Sequence, residues 1–179
     1  PQIVAGPIER PQKLLPQIQS DRTWKAEYFY SAWPMLVMGF FKKIVIADTV
    51  RVFVDRVYSL KEPTGFLLLA ATLGFTLQIL ADFTAYTDLA RALARLFGFD
   101  TSENFRSPYI ALTPTDFWNR WHITLPTWLR DYIFFPLRRA LLRANLPRGL
   151  TDALPPLVTM FLSGLWHGAG WTYVAWGLY

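Results

Sequence analysis

The sequence predicts an all-α, polytopic membrane protein, and three observations lead to this prediction. Only 17% of the 179 residues are charged, whereas soluble domains average roughly 25%. The run from Leu154 to Tyr179 holds no Asp, Glu, Lys or Arg, and about 20 apolar residues are enough to cross a bilayer. Eight Trp and eight Tyr residues suit a protein with two water–lipid interfaces, where amphipathic rings collect. A soluble enzyme with a large core is the weaker interpretation.

The N-terminal part is predicted to hold a loop and an interfacial helix. Residues 1–25 are rich in Pro and Gln, and proline breaks regular structure, so we expect a loop with an interfacial turn. The stretch from Tyr28 to Phe41 is apolar but ends at Lys42 and Lys43, and an amphipathic stretch follows. A tilted or partly interfacial helix fits this pattern better than a straight membrane span.

The segment from Thr64 to Ala81 is a second candidate span. It contains no charged residue, and Glu62-Pro63 before it marks a helix start. Its length is close to that needed to cross the hydrocarbon layer. A helical apolar pattern continues from Leu89 to Phe97 and stops at Gly98, a usual C-terminal glycine.

Residues 100–136 mix charged and aromatic side chains too closely for a lipid-facing span. Thr113 or Thr115 is expected to cap a helix with a proline in its first turn. Asp116 and Arg120 then fall on one side of that helix at i, i+4 spacing, and the next position on that side is Ile123 to Thr124. The segment is predicted to form a half-buried helix lining a cavity, or a re-entrant segment shielded by protein.

The chain is also predicted to be an interior piece of a longer membrane protein. It begins with Pro1 rather than Met, and Tyr179 interrupts an apolar run without a stop signal. A basic linker, residues 138–152, is expected to precede the final span, with Pro155-Pro156 in the first helical turn. The net charge of +5 fits the positive-inside bias of cytoplasmic loops better than nucleic-acid binding, because no nucleic-acid motif accompanies it.

Both histidines of the chain are candidates for chemistry. His167 lies thirteen residues beyond Leu154, roughly 20 Å along a helix, and an ionisable residue inside a span is a functional candidate by default. A structural histidine that hydrogen-bonds across a helix pair is an equally good interpretation, since Gly164 and Gly168 would let helices approach closely. For His122, spacing alone favours a structural role beside its neighbouring tryptophans.

Several other classes of site are excluded or disfavoured. The chain has no cysteine, which excludes disulfides, a Cys₂His₂ zinc site and a cysteine-linked covalent intermediate within it. It has no P-loop, no dinucleotide-binding glycine motif and no nucleophile elbow. No metal site is predicted, since no carboxylate lies within four residues of His167. Five charged residues have an ion-pair interpretation beside any functional one: Asp82, Asp88, Arg120, Arg130 and Asp131.

Short blocks of sequence occur along the chain in a recognisable order. They are Ala5-Gly6-Pro7-Ile8-Glu9-Arg10, Asp82-Phe83-Thr84-Ala85-Tyr86-Thr87-Asp88, Leu96-Phe97-Gly98-Phe99, Glu103-Asn104-Phe105, Pro108-Tyr109, Asp116-Phe117-Trp118-Asn119-Arg120-Trp121-His122-Ile123-Thr124, Thr127-Trp128-Leu129-Arg130-Asp131-Tyr132 and Gly164-Leu165-Trp166-His167-Gly168. In order and spacing these blocks resemble the membrane-bound O-acyltransferase (MBOAT) family, in its bacterial alginate O-acetyltransferase and D-alanyl-transfer branch. Two departures stand out: Ala85 replaces a usual glycine, and Arg138-Arg139 replaces part of a common Gly-rich run, in what is expected to be a loop.

The resemblance implies that the chain, residues 1–179, is an interior fragment of one MBOAT domain, a multi-helix bundle around a transmembrane tunnel. It implies that His167 is catalytic and that His122 is the second functional histidine. It also places the protein in the bacterial inner membrane as a multi-pass protein. The following residues are candidates for binding substrate or lining the tunnel: Trp166, Asn104, Asp116, Trp118, Arg120, Trp121, Arg130 and Asp131.

The activity implied by the resemblance is transfer of an acyl group, with acetyl expected, from a cytosolic thioester to a hydroxyl of an exported polysaccharide or cell-wall polymer. The donor is expected to be acetyl coenzyme A or another acyl thioester, with no bound cofactor. An extracytoplasmic accessory acyltransferase is an expected partner. His167 would act as general base, an effect worth about 10²- to 10⁴-fold, and His122 would position a substrate or stabilise the oxyanion. The alternative is a polytopic transporter or non-catalytic scaffold with structural histidines.

Overall fold

The computed structural model describes residues 6–21 and 23–178, and within these ranges the chain is helical with no β-strand. The predicted all-α class is therefore confirmed. The features on which the prediction of an interior fragment rests, Pro1 and Tyr179, lie outside the described residues, as does Ala5 of the first sequence block.

A short helix, α1, replaces part of the loop predicted for residues 1–25. It runs Pro11–Gln19, with Pro11 at its N-terminus and Pro16 inside it. The prediction of a loop was wrong here because proline is tolerated in a first helical turn, where its missing N–H would have had no partner. The helix is held by tertiary contacts as well: the Gln17 amide donates to the Asp100 carbonyl over 3.0 Å, and the Lys13 ammonium donates to Ser102 Oγ over 3.1 Å.

The interfacial helix predicted after Tyr28 is one helical path in three parts. Helix α2 runs Ala26–Phe40, a wider π-helical segment covers Phe41–Ala47, and helix α3 continues over Asp48–Tyr58. The two lysines that interrupt the apolar pattern lie in the π-helical segment. The chain therefore keeps its helical direction through them rather than turning.

Helix α4 is the long helix of the chain and spans Gly65–Leu96. The Thr64 side chain accepts a hydrogen bond from the Leu67 N–H and caps its N-terminus. Its end is as predicted, because Gly98 follows in the left-handed conformation with a φ of 76°. Among the described residues, α4 is the one helix that is long and apolar enough to cross a membrane.

Helices α2 and α3 pack along α4 in the opposite direction. At one end, a Cβ on Gly39 would come within 2.8 Å of the Leu89 side chain, and at the other, a Cβ on Gly74 would lie 3.1 Å from Val54. Ala85 is fully buried in this contact zone. It occupies the position at which the family that the sequence resembles usually has glycine. Small residues thus allow the close helix approach, as they do between membrane helices.

Ion pairs also join the π-helical segment to α4. Lys42 Nζ lies 2.7 Å from an Asp88 carboxylate oxygen, and Lys43 Nζ lies 2.9 Å from Asp82 and 2.8 Å from Asp48. The ion-pair interpretation of Asp82 and Asp88 is confirmed.

The region after α4 contains short helices broken by a turn. Helix α5 covers Pro114–Trp118 and is capped by Thr113, whose Oγ1 accepts from the Asp116 N–H over 3.1 Å. Helix α6 covers Thr124–Leu129. The half-buried helix predicted across this region is therefore interrupted at residues 119–123, and His122 lies in the break with a φ of 45°.

Helix α7 replaces the linker and loop predicted around the basic residues. A π-helical segment, Arg130–Phe134, leads into α7, Phe135–Arg143, so most of the basic cluster is helical. Pro136 occupies the first turn, which proline tolerates.

The uncharged run at the end of the chain forms two helices rather than one span. Helix α8 runs Arg148–His167 and helix α9 runs Trp171–Leu178, with a turn at residues 168–170. The predicted start was too late, because α8 begins directly after Pro147 and already contains Pro155 and Pro156. His167 is thus the last residue of α8 and not the middle of a span.

Candidate active site

A large cavity brings the two histidines of the chain to one place. Its volume is about 890 Å³, and its lining comes from α4, the 118–134 region, α8 and α9. Both His122 and His167 line it. Other lining residues are mostly aromatic or aliphatic, and they include Phe83, Trp118, Trp121, Leu125, Met160, Tyr173 and Trp176. A largely apolar cavity with a few polar groups is the usual form of a small-molecule site.

His122 is buried in an aromatic cluster and has an unusual backbone conformation. Its ring centroid lies 4.8 Å from that of Phe83 and 6.4 Å from that of Phe105. Its φ of 45° is in the left-handed region, which is uncommon for residues other than glycine although His is among those enriched there. Its Nδ1 is buried and has no hydrogen-bond partner among residues 6–21 and 23–178.

His167 is placed by the hairpin that α8 and α9 form. A Cβ on Gly164 would lie 3.1 Å from the Gly177 Cα, so the two backbones touch at this point. This contact brings Trp176 against His167, with ring centroids 5.0 Å apart in an edge-to-face arrangement. The predicted close packing at Gly164 is confirmed, whereas Gly168 packs against the Tyr173 ring.

Three of the predicted tunnel candidates line the cavity, namely Trp118, Trp121 and Arg130. Trp166 does not line it. This residue is 58% exposed, and its ring lies 6.3 Å from that of Trp128. Asn104 lines a second, smaller cavity of about 370 Å³, together with Lys42 and Arg91.

The other three charged candidates are in ion pairs outside the cavity lining. Arg120 Nε donates to Asp116 over 2.7 Å, and this guanidinium holds the pKa of the Asp116 carboxyl below its ordinary value. Asp131 accepts from Arg10 over 2.6 Å and from Arg130 over 3.0 Å. The ion-pair interpretation of Arg120, Arg130 and Asp131 is confirmed. Asp116 joins them as the partner of Arg120, and Arg130 lines the cavity as well.

Several lining residues were missed from the sequence. Trp176, Tyr173 and Ser163 lie in the uncharged run, where aromatic and small residues look the same whether they face lipid, core or cavity. Phe83 lies inside one of the sequence blocks that carried the family resemblance, and its membership of that block could have marked it as a candidate site residue.

The arrangement provides two imidazoles, and therefore a proton acceptor and a proton donor, in mostly apolar surroundings. Among the described residues no group of three or more His, Cys, Asp or Glu side chains is placed to hold a metal ion. Two histidines in one cavity can serve acid–base chemistry on a bound substrate.

Comparison with known proteins identifies the family. A family model described as MBOAT, the membrane-bound O-acyltransferase family, matches residues 1–179. The chain belongs to the membrane-bound O-acyltransferase family. Its members are membrane-bound, as the name states, in agreement with the candidate span in α4.

Similar curated proteins act on different polymers. A probable alginate O-acetylase, AlgI, of Pseudomonas fluorescens is 40% identical over 177 residues, covering 99% of this chain and 34% of the relative. A peptidoglycan O-acetyltransferase of Helicobacter pylori is 35% identical over 99% of this chain and 33% of its own length. A teichoic acid D-alanyltransferase of Streptococcus thermophilus is 29% identical over 100% of this chain and 45% of its own length. The chain thus spans about a third of the length of the first of these relatives.

Proposed function

We propose that this chain is the histidine-bearing part of a membrane-embedded O-acyltransferase. The whole enzyme moves an acyl group, acetyl in the first instance, from a cytosolic thioester to a hydroxyl of an exported polysaccharide or cell-wall polymer, directly or through a partner. One observation carries the proposal: both histidines, far apart in sequence, line the same largely apolar cavity.

The reaction assigns a separate role to each histidine. His167 takes the proton from the acceptor hydroxyl, and the resulting alkoxide attacks the carbonyl carbon of the thioester. His122 donates a hydrogen bond to the tetrahedral oxyanion or polarises the carbonyl before attack. When the intermediate collapses, the carbon–sulfur bond breaks and the thiolate leaves. The thiolate then takes the proton from His167, which is neutral again. Proton transfer by a positioned histidine contributes about 10²- to 10⁴-fold to such reactions.

The cavity suits this chemistry in two respects. A base must be neutral to accept a proton, and apolar surroundings favour the neutral form of imidazole. The largely apolar lining also gives the acyl group surfaces against which to pack. We propose that no acyl-enzyme forms on this chain, because it has no cysteine and neither histidine has a serine–carboxylate arrangement beside it among the described residues.

The relatives support a polymer as the acceptor. Their names state alginate, peptidoglycan and teichoic acid as substrates, and these polymers share hydroxyl groups as acyl acceptors. The proposed enzyme is a multi-pass protein of the bacterial inner membrane whose helices surround a tunnel. It would receive acetyl coenzyme A or another acyl thioester from the cytosol and hand the acyl group to a polymer or to an extracytoplasmic accessory acyltransferase.

The test is transfer of a labelled acyl group in membranes that contain the full-length parent protein. Membranes with the His167→Ala variant at matched expression should lose transfer by about 10²-fold or more. Leu165→Ala is a suitable control, because this neighbouring side chain is exposed and does not line the cavity. Undiminished transfer by His167→Ala would return this histidine to a packing role and favour a transporter or scaffold.

A further inference from the structure

The residues that follow His122 are held by one buried side chain. Asn104 has no exposed surface. Its backbone carbonyl accepts from the Ile123 N–H over 2.9 Å, and its side-chain Oδ1 accepts from the Thr124 N–H over 3.1 Å. Both residues directly after His122 are thus fixed by the same asparagine.

The orientation of the Asn104 amide follows from these contacts. The Thr124 N–H can only donate, so the atom it meets must be the amide oxygen rather than the nitrogen. The Thr124 hydroxyl also donates to Oδ1, over 2.9 Å. The amide nitrogen is buried without a hydrogen-bond partner among the described residues, so this side chain is arranged for the contacts of its oxygen.

The network extends from Thr124 to the N-terminal segment. Thr124 is only 6% exposed, and its hydroxyl accepts from the Ile8 N–H over 3.0 Å. The next residue, Glu9, accepts from the backbone N–H of Ser102 and, over 3.0 Å, from its hydroxyl. Three segments far apart in sequence therefore meet at the turn that contains His122.

The conformation of His122 explains why such a network is needed. A left-handed backbone is unfavourable for an L-residue, and such a conformation persists when surrounding contacts determine it. The ring then reaches the cavity only while the turn is held, because the direction of the Cα–Cβ bond follows the backbone.

We propose that Asn104 and Thr124 are positioning residues for His122, acting through the backbone of residues 122–124 and without contact with substrate. This assignment rests on the proposed function, and it replaces the prediction that Asn104 binds substrate. The Thr124 hydroxyl is the element most readily tested, since it joins Ile8 to Asn104 and can be removed with little change in side-chain volume.

The experiment compares Thr124→Val, Thr124→Ser and Thr101→Val in the purified full-length parent. Thr124→Val removes the bridging hydroxyl and Thr124→Ser retains it. Thr101→Val removes a hydroxyl that is equally buried but has no partner among the described residues. Two quantities are measured: kcat and KM for transfer from labelled acetyl coenzyme A, and hydrogen–deuterium exchange of a peptide covering residues 120–126.

For Thr124→Val we expect faster exchange in this peptide and a kcat lower by about 10²-fold, with KM little changed, because a small misplacement of a reacting group costs this much. Thr124→Ser and Thr101→Val should resemble the wild type in both measurements. Wild-type kcat in Thr124→Val, whether or not exchange rises, would overturn the proposal, and so would a fall in kcat with unchanged exchange. Absence of transfer in the wild type would instead contradict the proposed function.

Discussion

At the scale of single residues, tertiary contacts set the geometry of His122 and His167. Their positions in uncharged or aromatic sequence, and the family resemblance, were sufficient to select them. The left-handed backbone of His122 depends on contacts from Asn104 and Ile8, which are distant in sequence. No local pattern carries that information, because the turn is determined by tertiary hydrogen bonds.

The backbone at His122 leads to a prediction about stability. Replacing His122 with Ala should destabilise the parent protein more than replacing it with Gly, by about 1–2 kcal/mol, because a Cβ is strained at positive φ whereas glycine adopts this conformation freely. Thermal unfolding of the two variants in detergent measures the difference. Both lack the imidazole, so equal stability would show that the backbone conformation is not maintained as described.

At the scale of helices, the prediction succeeded where local signals mark the ends. Gly98 and Thr113 carry signals that act within a few residues, and each marks a helix end or start as predicted. Glu62-Pro63 likewise preceded the start of α4, where Thr64 is the cap. The prediction failed for the run after Leu154, because an uncharged sequence is compatible both with one membrane span and with two shorter helices. The turn at residues 168–170 follows from the contact of Gly164 with Gly177, which only the folded hairpin contains.

That contact between α8 and α9 can be tested directly. Gly164→Ala should lower stability by about 1–3 kcal/mol, since an added methyl group overpacks the hairpin, and should reduce acyl transfer by displacing Trp176 from His167. Gly149→Ala is the matched control in the same helix, because a Cβ there meets nothing within 4 Å. The role of this contact would be contradicted if Gly149→Ala also lost stability and transfer. It would also be contradicted if Gly164→Ala lost neither.

At the scale of the whole molecule, much apolar surface is left uncovered by the described residues. Phe66 is 78% exposed, Leu112 94% and Trp171 87%. Exposed apolar area of this kind marks contact with lipid or with further protein, and the chain spans about a third of the length of the first relatives. The proposal of a bundle with a tunnel therefore rests on the family resemblance and not on these residues alone.

The path of α4 through the membrane is a prediction at this scale. Its 32 residues extend about 48 Å at 1.5 Å per residue, more than the roughly 30 Å of the hydrocarbon layer. Because this chain contains no cysteine, Lys61→Cys and Asp100→Cys can be labelled singly in a parent whose other cysteines have been replaced. An impermeant thiol reagent should reach the two positions from opposite sides of the membrane. Labelling of both from one side would show that α4 does not cross.

The central claim is that His122 and His167 serve one reaction in one cavity. It is tested most directly by the rate of labelled acyl transfer in His122→Ala, His167→Ala and the double variant at matched expression. Residues that act as a unit show strongly non-additive effects, so the double variant should be little slower than the slower single variant. Two effects that multiply in the double variant, or a single variant with wild-type transfer, would contradict a shared site.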